Sequence, residues 1–265
     1  GAVSARAVAL LSGKGGVGRT LLTASLGAML AKKGRRVALV DLNTGMRGLD
    51  MALGLESRVA FDLGDVLDGV CELRQALVRG PDGLRLLAAR QMRDTEALDE
   101  DALGRVMDAL RAQFDWVLVD TAGGVGRGFT AAARCGLEAL AVTTPDDASL
   151  RCVERAAGLW QRLGGEPPML CVNRIRPALA EEGLQYTPQT CAQVVDLRLL
   201  GVVPEDAEAL RAALRKTPLE GDSPAARGVE NLLARLENPK QKLWDWNPAP
   251  PPQAGKPFLW RRRKA

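Results

Sequence analysis

Residues 12–20 read SGKGGVGRT, and the reading of this stretch decides the fold. The five residues before it, AVALL at 7–11, form an unbroken apolar run, and residues 21–31 carry apolar side chains at helical spacing. A glycine-rich turn between a strand and a helix is a cradle for an anion. Its backbone N–H groups close on the charge, and the helix start adds the positive end of its dipole. Taken as a pattern, Gly13, Gly15 and Gly18 also satisfy G-x-G-x-x-G, with Asp41 ending the next apolar run where a ribose-binding acid would stand. Three features favour a nucleoside triphosphate over a dinucleotide. Lys14 places a cation inside the loop. Thr20 opens the helix, where a hydroxyl can ligate Mg2+. A further strand, WVLVD, ends in Asp120 and runs into Gly123 and Gly124, as a metal-holding acid followed by a phosphate-sensing loop would.

Outward from the loop, apolar runs alternate with amphipathic segments. Strands are predicted at 7–11, 37–41, 84–88, 116–120, 139–143, 169–173 and 199–203, and helices at 101–113, 148–163 and 225–236. Continuous apolar runs suit strands buried on both faces of a parallel sheet. The fold class is therefore α/β, doubly wound and mostly parallel, with ligands at the carboxyl ends of the strands.

Composition narrows the chemistry. The 265 residues are 46% hydrophobic and 26% charged, as in an ordinary globular chain. No apolar stretch reaches the roughly 18 residues of a membrane span, and the N-terminal residues read as the lead into a strand, not as a signal peptide. Histidine is absent, which removes histidine bases and the common zinc sites. Cys71, Cys135, Cys152, Cys171 and Cys191 are scattered without a C-x-x-C pair and read as reduced, buried thiols. The net charge of +4 is uneven: from Lys240 onward there are seven basic residues and one acid, which leaves the preceding body mildly acidic. That pattern points to a tail meeting an anionic surface, not to a nucleic-acid-binding body.

SGKGGVGRT closely resembles the deviant Walker A loop of the MinD/ParA family of P-loop ATPases, and the resemblance to its MinD branch extends over residues 7–236. DLNTGMRGLDMALGLES, FDWVLVDTAGG, VTTPDDASLR, CVNRIRP and LGVVPEDAEALRAA stand in the same order and spacing as the family's segments. The resemblance implies ATP/ADP with Mg2+ and an ATP-held homodimer. Lys14 would reach the partner's phosphates. Gly13, Gly15, Gly16, Val17, Gly18 and Leu21 would line the phosphate loop, with Arg19 at the position of its usual lysine. Thr20, Asp41 and Asp120 would hold the metal, Asn173 would bind the adenine edge, and Pro204, Glu205 and Asp206 would line the base pocket. Strand-end capping is the competing reading of Asn173 and Asp206.

The departures fall on catalysis. Arg19 and Asn43 replace the usual lysine and aspartate, and an amide can orient water but cannot accept its proton. Thr121–Ala122 stands for Ser-Pro, and Gly48 for asparagine. Lys14, Arg19, Asp41, Asn43 and Asp120 thus form a catalytic set with weak hydrolysis expected.

Three regions are expected: an ATPase domain over 1–239, a mobile Pro-rich linker over 240–256, and a membrane-targeting tail over 257–265. In the tail, Phe258, Leu259 and Trp260 precede Arg261, Arg262, Arg263 and Lys264, an apolar-basic pairing suited to an anionic inner membrane surface. Trp244 and Trp246 read as a second membrane contact or, preferably, as a latch on the body. The resemblance implies septum positioning from the cytoplasmic face of the membrane, with a MinC-like septum inhibitor and a topological regulator as partners. The alternatives are a non-hydrolysing membrane scaffold and a ParA-like DNA-partitioning ATPase; the mildly acidic body argues against DNA.

Overall fold

The computed structural model describes residues 4–43, 48–91 and 98–247. Eight strands lie among them: β1 (Arg6–Ser12), β2 (Val37–Asp41), β3 (Val78–Arg79), β4 (Arg85–Leu87), β5 (Trp116–Gly123), β6 (Glu138–Thr143), β7 (Met169–Ile175) and β8 (Arg198–Pro204). They form one sheet in the order β3-β4-β2-β5-β1-β6-β7-β8. Every pairing is parallel except β3 with β4. The helices are α1 (Arg19–Lys32), α2 (Leu49–Ala52), α3 (Leu63–Leu67), α4 (Leu73–Ala76), α5 (Glu100–Gln113), α6 (Arg127–Arg134), α7 (Asp147–Arg162), α8 (Pro177–Glu181), α9 (Pro188–Val195), α10 (Ala207–Arg215) and α11 (Pro224–Glu237).

The strands are apolar on both faces because both faces are covered. Val8 and Leu10 of β1 pack with α1 and α11, whereas Ala7, Ala9 and Leu11 face the layer of α5, α6 and α7. β2 and β5 alternate in the same way, Val37, Leu39, Trp116 and Leu118 to one side and Ala38, Val40, Val117 and Val119 to the other. On the second face Phe129 meets Trp160 edge-on, ring centroids 5.5 Å apart, a contact worth about 1 kcal/mol beyond its buried area. The chain leaves β1 for β2 on one side and β6 for β7 on the other. Neighbouring strands that send their connections to opposite edges open a crevice at their carboxyl ends, and residues 12–20 lie there.

The body extends beyond 239. Residues 240–247, expected as the start of a mobile linker, are held along β8. Arg235 donates to the carbonyls of Leu199, Leu200 and Gln241, and Asn231 donates to Lys242 O at 3.0 Å. Trp244 donates its indole N–H to Val202 O at 3.0 Å, under the Arg227 guanidinium. Trp244 is thus a latch on the body. The Val202 carbonyl, left open on an edge strand, is what the segment binds on β8. Residues 248–256 and the tail 257–265 lie outside the described residues.

Candidate functional site

The loop closes on α1 without a side-chain cap, whereas α5, α7 and α11 are capped by Asp99, Asp146 and Ser223. The first N–H groups of α1 therefore remain available to a ligand. Gly18 has φ 87°, and a Cβ there would stand 2.4 Å from Asn173 Nδ2, so only glycine fits. Asn173, from β7, donates Nδ2–H to Val17 O at 2.8 Å. Arg174, the next residue, donates to Gly16 O at 2.5 Å. With these carbonyls satisfied by protein, the loop N–H groups are the donors left for an anion. Lys14 stands exposed at the outer rim.

Arg19 turns inward. It is 6% exposed; its Nε donates to Asp120 Oδ1 and its Nη1 to Ser12 Oγ. Ser12 passes the chain on, donating to Lys14 O at 2.8 Å. Thr20 donates its hydroxyl to the other Asp120 oxygen at 2.8 Å. Both oxygens of the fully buried Asp120 are therefore engaged.

Asp41 sits directly across the β2–β5 register from Asp120. Its oxygens accept N–H groups from Asn43 at 2.9 Å and Leu49 at 3.0 Å. Burial, reinforced by the Asp120 charge, raises its pKa to about 8 despite those two bonds. Thr20, Asp41 and Asp120 thus converge as an all-oxygen donor set beneath a loop of free N–H groups. These donor types suit a hard divalent cation shared with phosphate oxygens, which would take its place by exchanging a present partner of Asp120.

Beside the loop lies a cavity of about 330 Å³, lined by Gly18, Leu21, Asn173, Pro204, Val229 and neighbouring residues. Its walls are mostly apolar, as a planar base requires. Glu205 lines it but pairs outward with Arg176. Asp206 lines it too, yet its oxygens accept the N–H groups of Glu208 and Ala225, capping α10 and bracing the start of α11. The capping reading of Asp206 therefore holds alongside the lining one. Asn173 spends its donor on the loop, and no hydrogen bond among the described residues uses its Oδ1.

Two departures in sequence have structural meaning. Ala122 adopts φ 74°. Proline, locked near −65°, could not take that path, so the loop after Asp120 runs differently from one built on Ser-Pro. Past it, Gly123 lets this strand end close on the phosphate loop: a Cβ there would meet Gly15 N at 2.6 Å. Arg174 and the Ser12 hydroxyl were not singled out from sequence. Their signals were present, in the Asn-Arg pair and in the first residue of SGKGGVGRT.

Residues 8–219 match the family model described as the CobQ/CobB/MinD/ParA nucleotide binding domain. The septum site-determining protein MinD of Bacillus subtilis is 38% identical over 236 residues, 87% of this chain and 88% of that one. Among solved structures, the MinC:MinD cell division protein complex of Aquifex aeolicus superposes with TM-score 0.81 at 32% identity, covering 88% of this chain and 96% of that one. MinD of Pyrococcus horikoshii complexed with Mg-ADP superposes at 0.78 and 27% identity, covering 88% and 96%. A glycine loop, an oxygen donor set and a base-sized cavity in this arrangement, matched over most of the length, place the chain in the MinD/ParA family of nucleotide-binding proteins.

Proposed function

We propose that this chain is a MinD-type nucleotide switch that binds ATP with Mg2+, dimerises, and dwells on the inner membrane surface to position the division septum. The observation that carries this is the convergence of Thr20, Asp41 and Asp120 under a loop whose free donors open α1. Gly13, Gly15, Gly16, Val17 and Gly18 would surround the phosphates. Mg2+, when bound, supplies charge neutralisation, and Thr20, Asp41 and Asp120 are the residues that would hold it. Asn173 Oδ1 and the wall at Pro204 would receive the base. Lys14, exposed on the rim, is free to reach a second subunit's phosphates.

Hydrolysis is slow in this proposal. Asn43 braces Asp41 through its backbone, and its amide cannot take a proton from water. Arg19 is tied to Asp120 and Ser12 and is not free to bridge the terminal phosphates as a lysine ammonium would. Losing one aligned electrostatic contact in a transition state costs roughly a hundredfold or more in rate. The tail 257–265 supplies weak apolar and cationic contacts, and pairing two tails in a dimer multiplies them. The Aquifex relative was solved with MinC, and a MinC-like inhibitor is the partner class this reading implies.

Two measurements test it: the nucleotide extracted from purified protein, and phosphate release with anionic vesicles. Retained ATP or ADP with slow release is expected. Rapid turnover would sink the slow-hydrolysis claim, and an absence of nucleotide binding would sink the whole reading.

A further inference from the structure

The inward turn of Arg19 carries a consequence for the metal, given the nucleotide reading above. A guanidinium offers five N–H groups in a rigid fork. Here Nε and Nη1 are committed to Asp120 and Ser12. Nη2 makes no hydrogen bond among the described residues, yet it is not among the buried polar atoms that lack a partner. Nη2 is thus the edge of the fork left uncommitted, on a residue at the head of α1 directly after the loop. A lysine ammonium is a single donor centre and cannot hold a carboxylate with one edge while offering another edge to phosphate.

We propose that Arg19 is a built-in counter-ion of Asp120 that contacts phosphate at the same time, so that a nucleoside diphosphate binds this chain without Mg2+. Asp120 has no oxygen left over: Arg19 takes Oδ1 and Thr20 takes Oδ2. A metal's water shell would have to displace a partner from a fully buried carboxylate, and separating one member of a buried ion pair is strongly unfavourable. Arg174, which donates to Gly16 O, adds a further cation beside the loop that opposes the charge of a metal-free diphosphate.

The test is calorimetric titration of the full chain with ADP, once with Mg2+ and once with EDTA. Wild-type affinity is expected to change by less than about threefold on metal removal, whereas R19K, with Asp120 Oδ1 released, loses about tenfold or more. If R19K melts below the assay temperature, R19Q, which keeps a hydrogen-bonding head and loses the charge, takes its place. A wild-type affinity that collapses in EDTA overturns the proposal and leaves the nucleotide site standing. An R19K variant as indifferent to metal as wild type overturns the role of Arg19. No ADP binding in either buffer removes the nucleotide reading, and this proposal with it.

Discussion

Asp41 shows how burial outweighs hydrogen bonding at a single residue. Two N–H groups favour its anion, yet desolvation beside Asp120 lifts its pKa to about 8. The folded chain therefore keeps a proton that the unfolded chain, with an ordinary carboxylate value of 3.8, has already lost. Across that window the unfolded state binds fewer protons. Stability contributed by the protonated Asp41 is thus lost as pH rises through the window, by at most about 1.4 kcal/mol per pH unit. Thermal melts in nucleotide-free, metal-free buffer should show a midpoint that falls from pH 5 to pH 8, and a slope that flattens in D41N. A midpoint rising over that range contradicts the assignment. Ala122 offers a second check at this scale. Its positive φ costs an L-residue about 1 kcal/mol, so A122G should raise the melting temperature slightly while A122P lowers it sharply.

At the scale of elements, the loop and residues 240–247, a strap along β8, are both held by side chains reaching to backbone. G18A places a methyl group against Asn173 in a backbone conformation that alanine resists; ADP affinity should drop by at least about tenfold with the fold retained by circular dichroism. W244A removes the indole bond to Val202 and the stacking of Arg227. It should cost about 1–3 kcal/mol and open residues 240–247 to limited proteolysis; unchanged protection there would contradict the strap. All seven predicted strands are present, because two-sided burial writes itself as unbroken apolar runs such as VALVD. β3 was not legible: two residues in antiparallel pairing leave no period to read. The strap was only half legible, since Trp244 is paired by indole geometry against a strand 42 positions away, and no local pattern encodes that. At the site, the donor set was readable as residue types at strand ends. The inward direction of Arg19 was not, because it depends on where β5 places Asp120.

For the whole molecule, the proposed dimer and membrane steps make separable predictions. K14A should leave ADP binding within about threefold while abolishing ATP-dependent dimers in light scattering, because its exposed ammonium lies outside the pocket that grips the base. Removal of 257–265 should abolish vesicle binding and leave dimerisation intact; dimers lost along with the tail would contradict the separation. The strap also bears on how copies of this chain can meet. α11 ends at Glu237, paired with Lys33 and Arg35, and the chain then runs back past Arg198 and Val202 to Glu181. In doing so it occupies the Val202 carbonyl of β8, one outer strand of the sheet, while Arg235 of α11 takes those of Leu199 and Leu200. The other outer strand, β3, is two residues long. Among the described residues neither margin presents a long open ladder, which disfavours edge-to-edge strand pairing; the proposed ligand-governed dimer would instead form at the loop-bearing end of the sheet.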